Sequence, residues 1–174
     1  MPYLQVIISS ANGTVITWGK CGPCIGIPSA KNINPKDSIK PQKIDTFEEK
    51  IVQIASGKNH FMALSVDHKV YTWGLNEYNQ LGCKDAKESS WMPVISDAAK
   101  NKKIIYVTAK ENLSAAIDSD GIIYSWGQKS KESGSVSSVE EYKIDIKDLL
   151  DSTENVNLEI GPEGLYAYNS ILVM

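Results

Sequence analysis

Val70-Tyr71-Thr72-Trp73-Gly74-Leu75-Asn76-Glu77-Tyr78-Asn79-Gln80-Leu81-Gly82 reads as a strand that delivers a large ring, leaves it through a glycine, and enters a polar loop closed by a second glycine. The strand part occurs twice more, as Val15-Ile16-Thr17-Trp18-Gly19 and Ile123-Tyr124-Ser125-Trp126-Gly127. The three tryptophans are spaced by 55 and 53 residues, and the closing glycines, Gly26, Gly82 and Gly134, follow them by 8, 9 and 8. Self-similarity at a fixed period of this length marks a repeat architecture, in which each unit buries its apolar face only against a neighbour.

The upstream half repeats as well. Ile51 to Leu64 aligns without gaps on Ile104 to Ile117, so that Ile54 falls on Val107, Ala63 on Ala116 and Leu64 on Ile117. A weaker copy opens at Val156, where Leu158, Gly161, Leu165 and Ala167 keep the spacings of Ile54, Gly57, Phe61 and Ala63. The first copy, Leu4 to Trp18, supplies the last two strands of a unit without the first.

Short runs rich in β-branched and aromatic residues, separated by turn residues, predict antiparallel strands. Asn12-Gly13 and Asp120-Gly121 predict two-residue hairpin turns with positive φ at both positions. The middle copy has Asp67-His68 there, so either His68 adopts left-handed geometry at some cost or the turn is longer. The predicted fold is all-β, a partial β-propeller of about three four-stranded antiparallel blades that does not close within this chain. It forms one domain over residues 1–174, with a partial repeat at 1–26, repeats at 51–82 and 104–134, and a partial repeat at 156–174. Trp18, Trp73 and Trp126 are expected in the core between blades.

The pattern resembles the regulator of chromosome condensation repeat family. The resemblance rests on Ile54-Ala55-Ser56-Gly57-Lys58-Asn59-His60, on Ala63-Leu64 and on Val70 through Gly82. The third repeat departs from it, with Lys110 and Leu113 in place of the glycine and histidine and Lys129 to Gly134 in place of the Gln-Leu-Gly ending. The resemblance implies a seven-bladed ring, which at this period needs roughly 370 residues, so the chain reads as a segment of a longer propeller. A self-assembling partial ring, or one capped by another protein, is the alternative, because open ends expose blade faces and strand edges. The resemblance further implies that Gly57 and His60 are structural core elements of each repeat. It also implies that the module binds a small GTPase of the Ran type and affects its nucleotide cycle through binding rather than catalysis. Loop residues Lys20, Asn76, Glu77, Tyr78, Gln80, Lys129 and Lys131 are the candidate contacts. The Lys-, Asn-, Ile- and Ser-rich composition is compatible with a secreted bacterial effector that carries these repeats, which would act in the host cytosol. A structural segment with an unrelated protein partner is the competing reading.

Composition narrows the rest. With 174 residues, 42% of them hydrophobic, the chain buries one ordinary core. Eighteen Lys plus Arg against 21 Asp plus Glu leave a net charge of −3, which gives no electrostatic reason to expect nucleic acid. Three cysteines suit a reducing compartment, and no segment approaches the roughly 20 apolar residues of a membrane span. A cytoplasmic protein without metal or cofactor is expected.

Two motifs invite chemistry. Cys21-Gly22-Pro23-Cys24 has the spacing of a thiol oxidoreductase, but that chemistry needs a helix N-terminus to lower the thiol pKa, and Ile25-Gly26-Ile27-Pro28-Ser29 cannot carry a helix. Asp118-Ser119-Asp120-Gly121 opens like a calcium loop, yet the later ligands are missing and a hairpin explains it. His60 stands without a nucleophile or carboxylate constellation and is read as a core hydrogen-bonding residue. Of the linkers, Lys31 to Thr46 is expected to be a solvated loop. Glu140 to Asn155, with six acids and two lysines, has apolar spacing that permits a helical turn or two on an acidic face.

Overall fold

The computed structural model describes residues 5–19, 22–27, 40–83, 88–128, 137–143, 156–161 and 164–169. They form four antiparallel sheets in chain order. The first contains β1 (Gln5–Ser9), β2 (Val15–Gly19) and β3 (Gln42–Lys43). The second contains β4 (Ile51–Ser56), β5 (His60–Ser65), β6 (Val70–Leu75) and β7 (Ser89–Ile95), and the third β8 (Ile104–Lys110), β9 (Leu113–Asp118), β10 (Ile122–Gly127) and β11 (Ser137–Lys143). A two-stranded sheet, β12 (Val156–Gly161) with β13 (Gly164–Asn169), follows. Strands β4, β8 and β12 lie side by side at the inner edge of successive sheets, and the array is open. Among the described residues no helix is long and apolar enough to cross a membrane.

The middle sheet explains the sequence pattern of its strands. Every residue of β5, and all but the last of β6, is buried, because neighbouring sheets cover both faces. A strand buried on both sides needs no polar alternation. Phe61, Ala63, Tyr71 and Trp73 point back to the first sheet and pack with Val15, Cys24, Ile44 and Ile51. Met62, Leu64 and Val70 point forward and pack with Ile104, Val107, Ala116, Tyr124 and Trp126. Inner strands β4 and β8 carry a bulge at the same place, between Ile51 and Gln53 and between Ile104 and Tyr106, which turns the skipped residues Val52 and Ile105 to solvent.

Several expectations are corrected by this arrangement. The three hairpins that lead into the tryptophan strands each have a three-residue turn in which only the third residue is left-handed: Gly13 (φ 84°), His68 (φ 66°) and Gly121 (φ 79°). The bonds Ser10 N to Thr14 O and Ser65 N to Lys69 O hold the first two closed. Neither Asn12 nor Asp120 takes positive φ, so these are not the two-residue turns expected. His68 does adopt the strained conformation, and its Nδ1 bonds the carbonyl of Ile104 at 2.8 Å in the next sheet, a tertiary contact that offsets the backbone cost. Around Asp118, one carboxylate oxygen accepts from the amides of Asp120 and Ile122 and the other from the hydroxyl of Tyr124, so the carboxylate is spent on the hairpin.

The linkers also contribute strands. The end of the stretch from Lys31 to Thr46 supplies β3 and the buried Ile44, so that part is not a solvated loop. Glu140 to Lys143 belongs to β11 rather than to a helical turn; residues 31–39 and 144–155 lie outside the described residues. In consequence β1 and β2 match the second and third strands of a blade, with β3 as the fourth. Trp18, expected in the core like its counterparts, is only half-buried. The face on which Trp73 and Trp126 meet a preceding sheet has no earlier sheet to meet at Trp18 among the described residues.

Candidate functional site: the loop face of the second blade

The loop that follows each tryptophan is what the next blade holds. The Trp73 indole Nε1 donates to the carbonyl of Cys24 at 3.0 Å, and Trp126 Nε1 donates to the carbonyl of Gln80 at 3.0 Å. Two residues after each acceptor comes a left-handed glycine, Gly26 (φ 71°) or Gly82 (φ 62°). A Cβ on Gly26 would stand 2.7 Å from Trp73 Nε1, and one on Gly82 would stand 2.8 Å from Trp126 Nε1. The closing glycine is therefore required twice over, by its backbone conformation and by the ring pressed on it.

Within the loop of the second blade, polar side chains fold inward. Asn76 Oδ1 accepts from the Leu81 amide at 2.9 Å, and Gln80 Oε1 accepts from the Tyr78 amide at 2.9 Å. The carbonyls of Asn76 and Asn79 accept from the amides of Asn79 and Gly82, each at 3.0 Å, with Asn79 itself left-handed at φ 58°. Beneath, the Thr72 hydroxyl donates to the Leu81 carbonyl at 2.8 Å. Asn76 and Gln80, expected on the contact surface, are 5% and 1% exposed. They are interior because a compact loop leaves main-chain groups without ladder partners, and these carboxamides satisfy them. Glu77 is exposed, and Tyr78 and Asn79 are half-exposed, so they form the loop's outer edge. Lys20, Lys129 and Lys131 lie outside the described residues.

Behind the loop is a buried relay. The Ser114 hydroxyl donates to the Gln80 carbonyl at 2.7 Å, and the same oxygen lies 2.8 Å from His60 Nε2. His60 is fully buried, and burial pushes its pKa down to about 4. Its ring lies so close to Gly57 that a Cβ there would stand 2.1 Å from the imidazole. Glycine at position 57 is thus the seat of the histidine. Beside it, the Lys58 amide donates to the Glu111 carbonyl at 2.8 Å, a main-chain bond from the second blade to the third, with a solvent-exposed Lys58–Glu111 ion pair at 4.0 Å above. Ser114 carries no signal in the sequence that links it to Gln80, 34 residues away.

The tetrapeptide Cys21-Gly22-Pro23-Cys24 falls on the equivalent loop of the first blade. Gly22–Ile25 make one 3-10 turn ending at the left-handed Gly26, and among the described residues no helix follows to activate a thiol. Cys24 is 1% exposed, with its sulfur 2.9 Å from the Asn59 carbonyl oxygen and its own carbonyl taken by Trp73. Cys21 lies outside the described residues.

Tandem four-stranded antiparallel sheets, stacked by one repeated tryptophan-to-loop contact, define an open segment of a β-propeller. Its repeats are those of the regulator of chromosome condensation (RCC1) family, whose models match residues 51–80 and 67–117. Over 114 residues, 66% of this chain, the sequence is 32% identical to the X-linked retinitis pigmentosa GTPase regulator of Canis lupus familiaris, of which it covers 11%. Over 118 residues, 67% of this chain, it is 30% identical to guanine nucleotide exchange factor SRM1 of Saccharomyces cerevisiae, of which it covers 24%. Among solved structures it is similar to Prp20p of Saccharomyces cerevisiae, a protein described together with its binding to Gsp1p and histones. The TM-score is 0.59 and the identity 26%, over 72% of this chain and 29% of Prp20p. The chain thus spans a quarter or less of the curated relatives named here.

Proposed function

We propose that this chain is a protein-binding propeller segment that engages a small GTPase of the Ran type and alters its nucleotide cycle by binding. The observation that carries the reading is the likeness over two thirds of the chain to a protein named as a guanine nucleotide exchange factor. The loop geometry supports it, since a rigidly braced loop presents Glu77 and Tyr78 outward on a scaffold of packed sheets. Nucleotide exchange needs no acid–base pair on the exchange factor; it needs a surface that binds the nucleotide-free GTPase more tightly than the loaded one. Lys20, Lys129 and Lys131, which follow the repeated tryptophans in the sequence, are proposed as further contacts. A partner of this kind puts the segment in the cytoplasm.

The test is a pull-down of Ran with the full chain, comparing nucleotide-free and GTP-loaded forms at micromolar protein. Preferential retention of the nucleotide-free form is expected. Retention of neither form overturns the GTPase reading in favour of a structural segment with another partner.

A further inference from the structure

The hydrogen-bond roles around Ser114 can be assigned without seeing a proton. The Gln80 carbonyl only accepts, and so does not compete for the part of donor; Trp126 Nε1 only donates, and does so to that carbonyl. The Ser114 hydroxyl, 2.7 Å from the same carbonyl, must therefore spend its single proton there. What Ser114 Oγ has left is a lone pair, and the imidazole nitrogen 2.8 Å away must donate to it. His60 is then neutral with its proton on Nε2. Its bare Nδ1, buried and without a partner among the described residues, faces Gly57.

We propose that Ser114 and His60 are positioning residues for the loop of the second blade. The chain His60 Nε2–H to Ser114 Oγ–H to Gln80 carbonyl, joined there by Trp126, makes the third blade set the position in which the second blade presents Glu77 and Tyr78. Three features support it. Both donors to Gln80 come from the third blade, on β9 and β10, while the acceptor sits in the middle of the second blade's loop. The Gln80 side chain then passes the constraint on through Oε1 to the Tyr78 amide. All four members are at most 1% exposed, so water cannot replace a lost partner without opening the interface. At the first blade's loop the Trp73 indole donates to the Cys24 carbonyl, but the strand residue opposite that tryptophan is Phe61, where Ser114 stands opposite Trp126, and Phe61 has no hydroxyl to donate. The two-donor clamp is therefore a feature of this interface and not of every repeat. The consequence for a partner rests on the GTPase reading above, but the clamp itself does not.

Amide hydrogen exchange of the full chain, wild type against Ser114→Ala, tests the clamp with no partner present. The amides of Tyr78, Asn79, Leu81 and Gly82 are expected to exchange about tenfold faster in the variant, with those of Met62 and Thr72 unchanged. Unchanged loop exchange, or equal acceleration everywhere, overturns the proposal. Nitrogen-15 chemical shifts of His60 in the unaltered protein provide a readout independent of any variant. A protonated Nε2 and a bare Nδ1 are expected, and the opposite tautomer overturns the assignment. A wild-type protein that fails to retain Ran while its loop behaves as expected removes the GTPase reading and leaves the clamp standing.

Discussion

The Gln53 carboxamide grips the main chain of Val107 from the neighbouring blade, its Nε2 donating to the carbonyl at 3.1 Å and its Oε1 accepting from the amide at 3.0 Å. Inner strands β4 and β8 lie side by side without forming a ladder, because they belong to different sheets. One side chain does there what a strand neighbour would do. Gln53→Leu keeps the size but leaves both Val107 groups unpaired, and is expected to cost about 1–3 kcal/mol in urea unfolding. A loss below measurement would mean that water satisfies Val107 as well as Gln53 does.

The tryptophans separate by burial. Trp73 is fully enclosed and Trp18 only half so. Trp73→Ala is expected to cost about 3–5 kcal/mol, enough to unfold a marginal domain. Trp18→Ala should cost clearly less, since its side chain is only partly covered. Thermal or urea unfolding of the pair measures the difference, and equal losses would contradict the environments described.

Loop residues should divide in the same manner. Gln80→Ala removes the acceptor of the Tyr78 amide from a site 1% exposed, and about 1–2 kcal/mol of stability should go with it. Glu77→Ala, at the exposed edge, should stay within about 0.5 kcal/mol while weakening retention of the GTPase. Unfolding midpoints and pull-downs of both variants check this.

Acid should loosen the interface through His60. Burial holds its folded-state pKa at about 4, below the ordinary 6.5, so the neutral form is favoured on folding. Its contribution is fully present above pH 6.5 and is lost as pH falls towards about 4, at roughly a kcal/mol per pH unit. Unfolding free energies of wild type and His60→Gln, compared from pH 7 to pH 4.5, should converge as the pH falls. A constant gap would show that His60 does not gain a proton in that range on unfolding.

The blades were legible because repetition exposes them: Val-x-Thr-Trp-Gly stands out when it returns 53 residues later with Ile-x-Ser-Trp-Gly. Strands β7 and β11 were not, since Ser89-Ser90-Trp91-Met92-Pro93-Val94-Ile95 carries a proline and no repeated anchor. At an outer edge only one side needs a ladder partner, so the sequence is weakly constrained. The loop was located from its residues but its inside and outside were not. Asn76 and Gln80 look like surface polar residues until their carboxamides are seen closing main-chain groups. Ser114, the partner of His60 and Gln80, sits in an ordinary strand, and only the stacking of blades brings the three together.

Hydrogen exchange of the indole N–H groups, followed by proton–nitrogen correlation spectra, tests the stacking of blades most directly. Trp73 and Trp126, each bonded to a carbonyl of the preceding blade, are expected to exchange only on the time scale of unfolding, while Trp18 exchanges fast. Fast exchange at Trp73 and Trp126, at the rate of a free indole, would contradict that stacking.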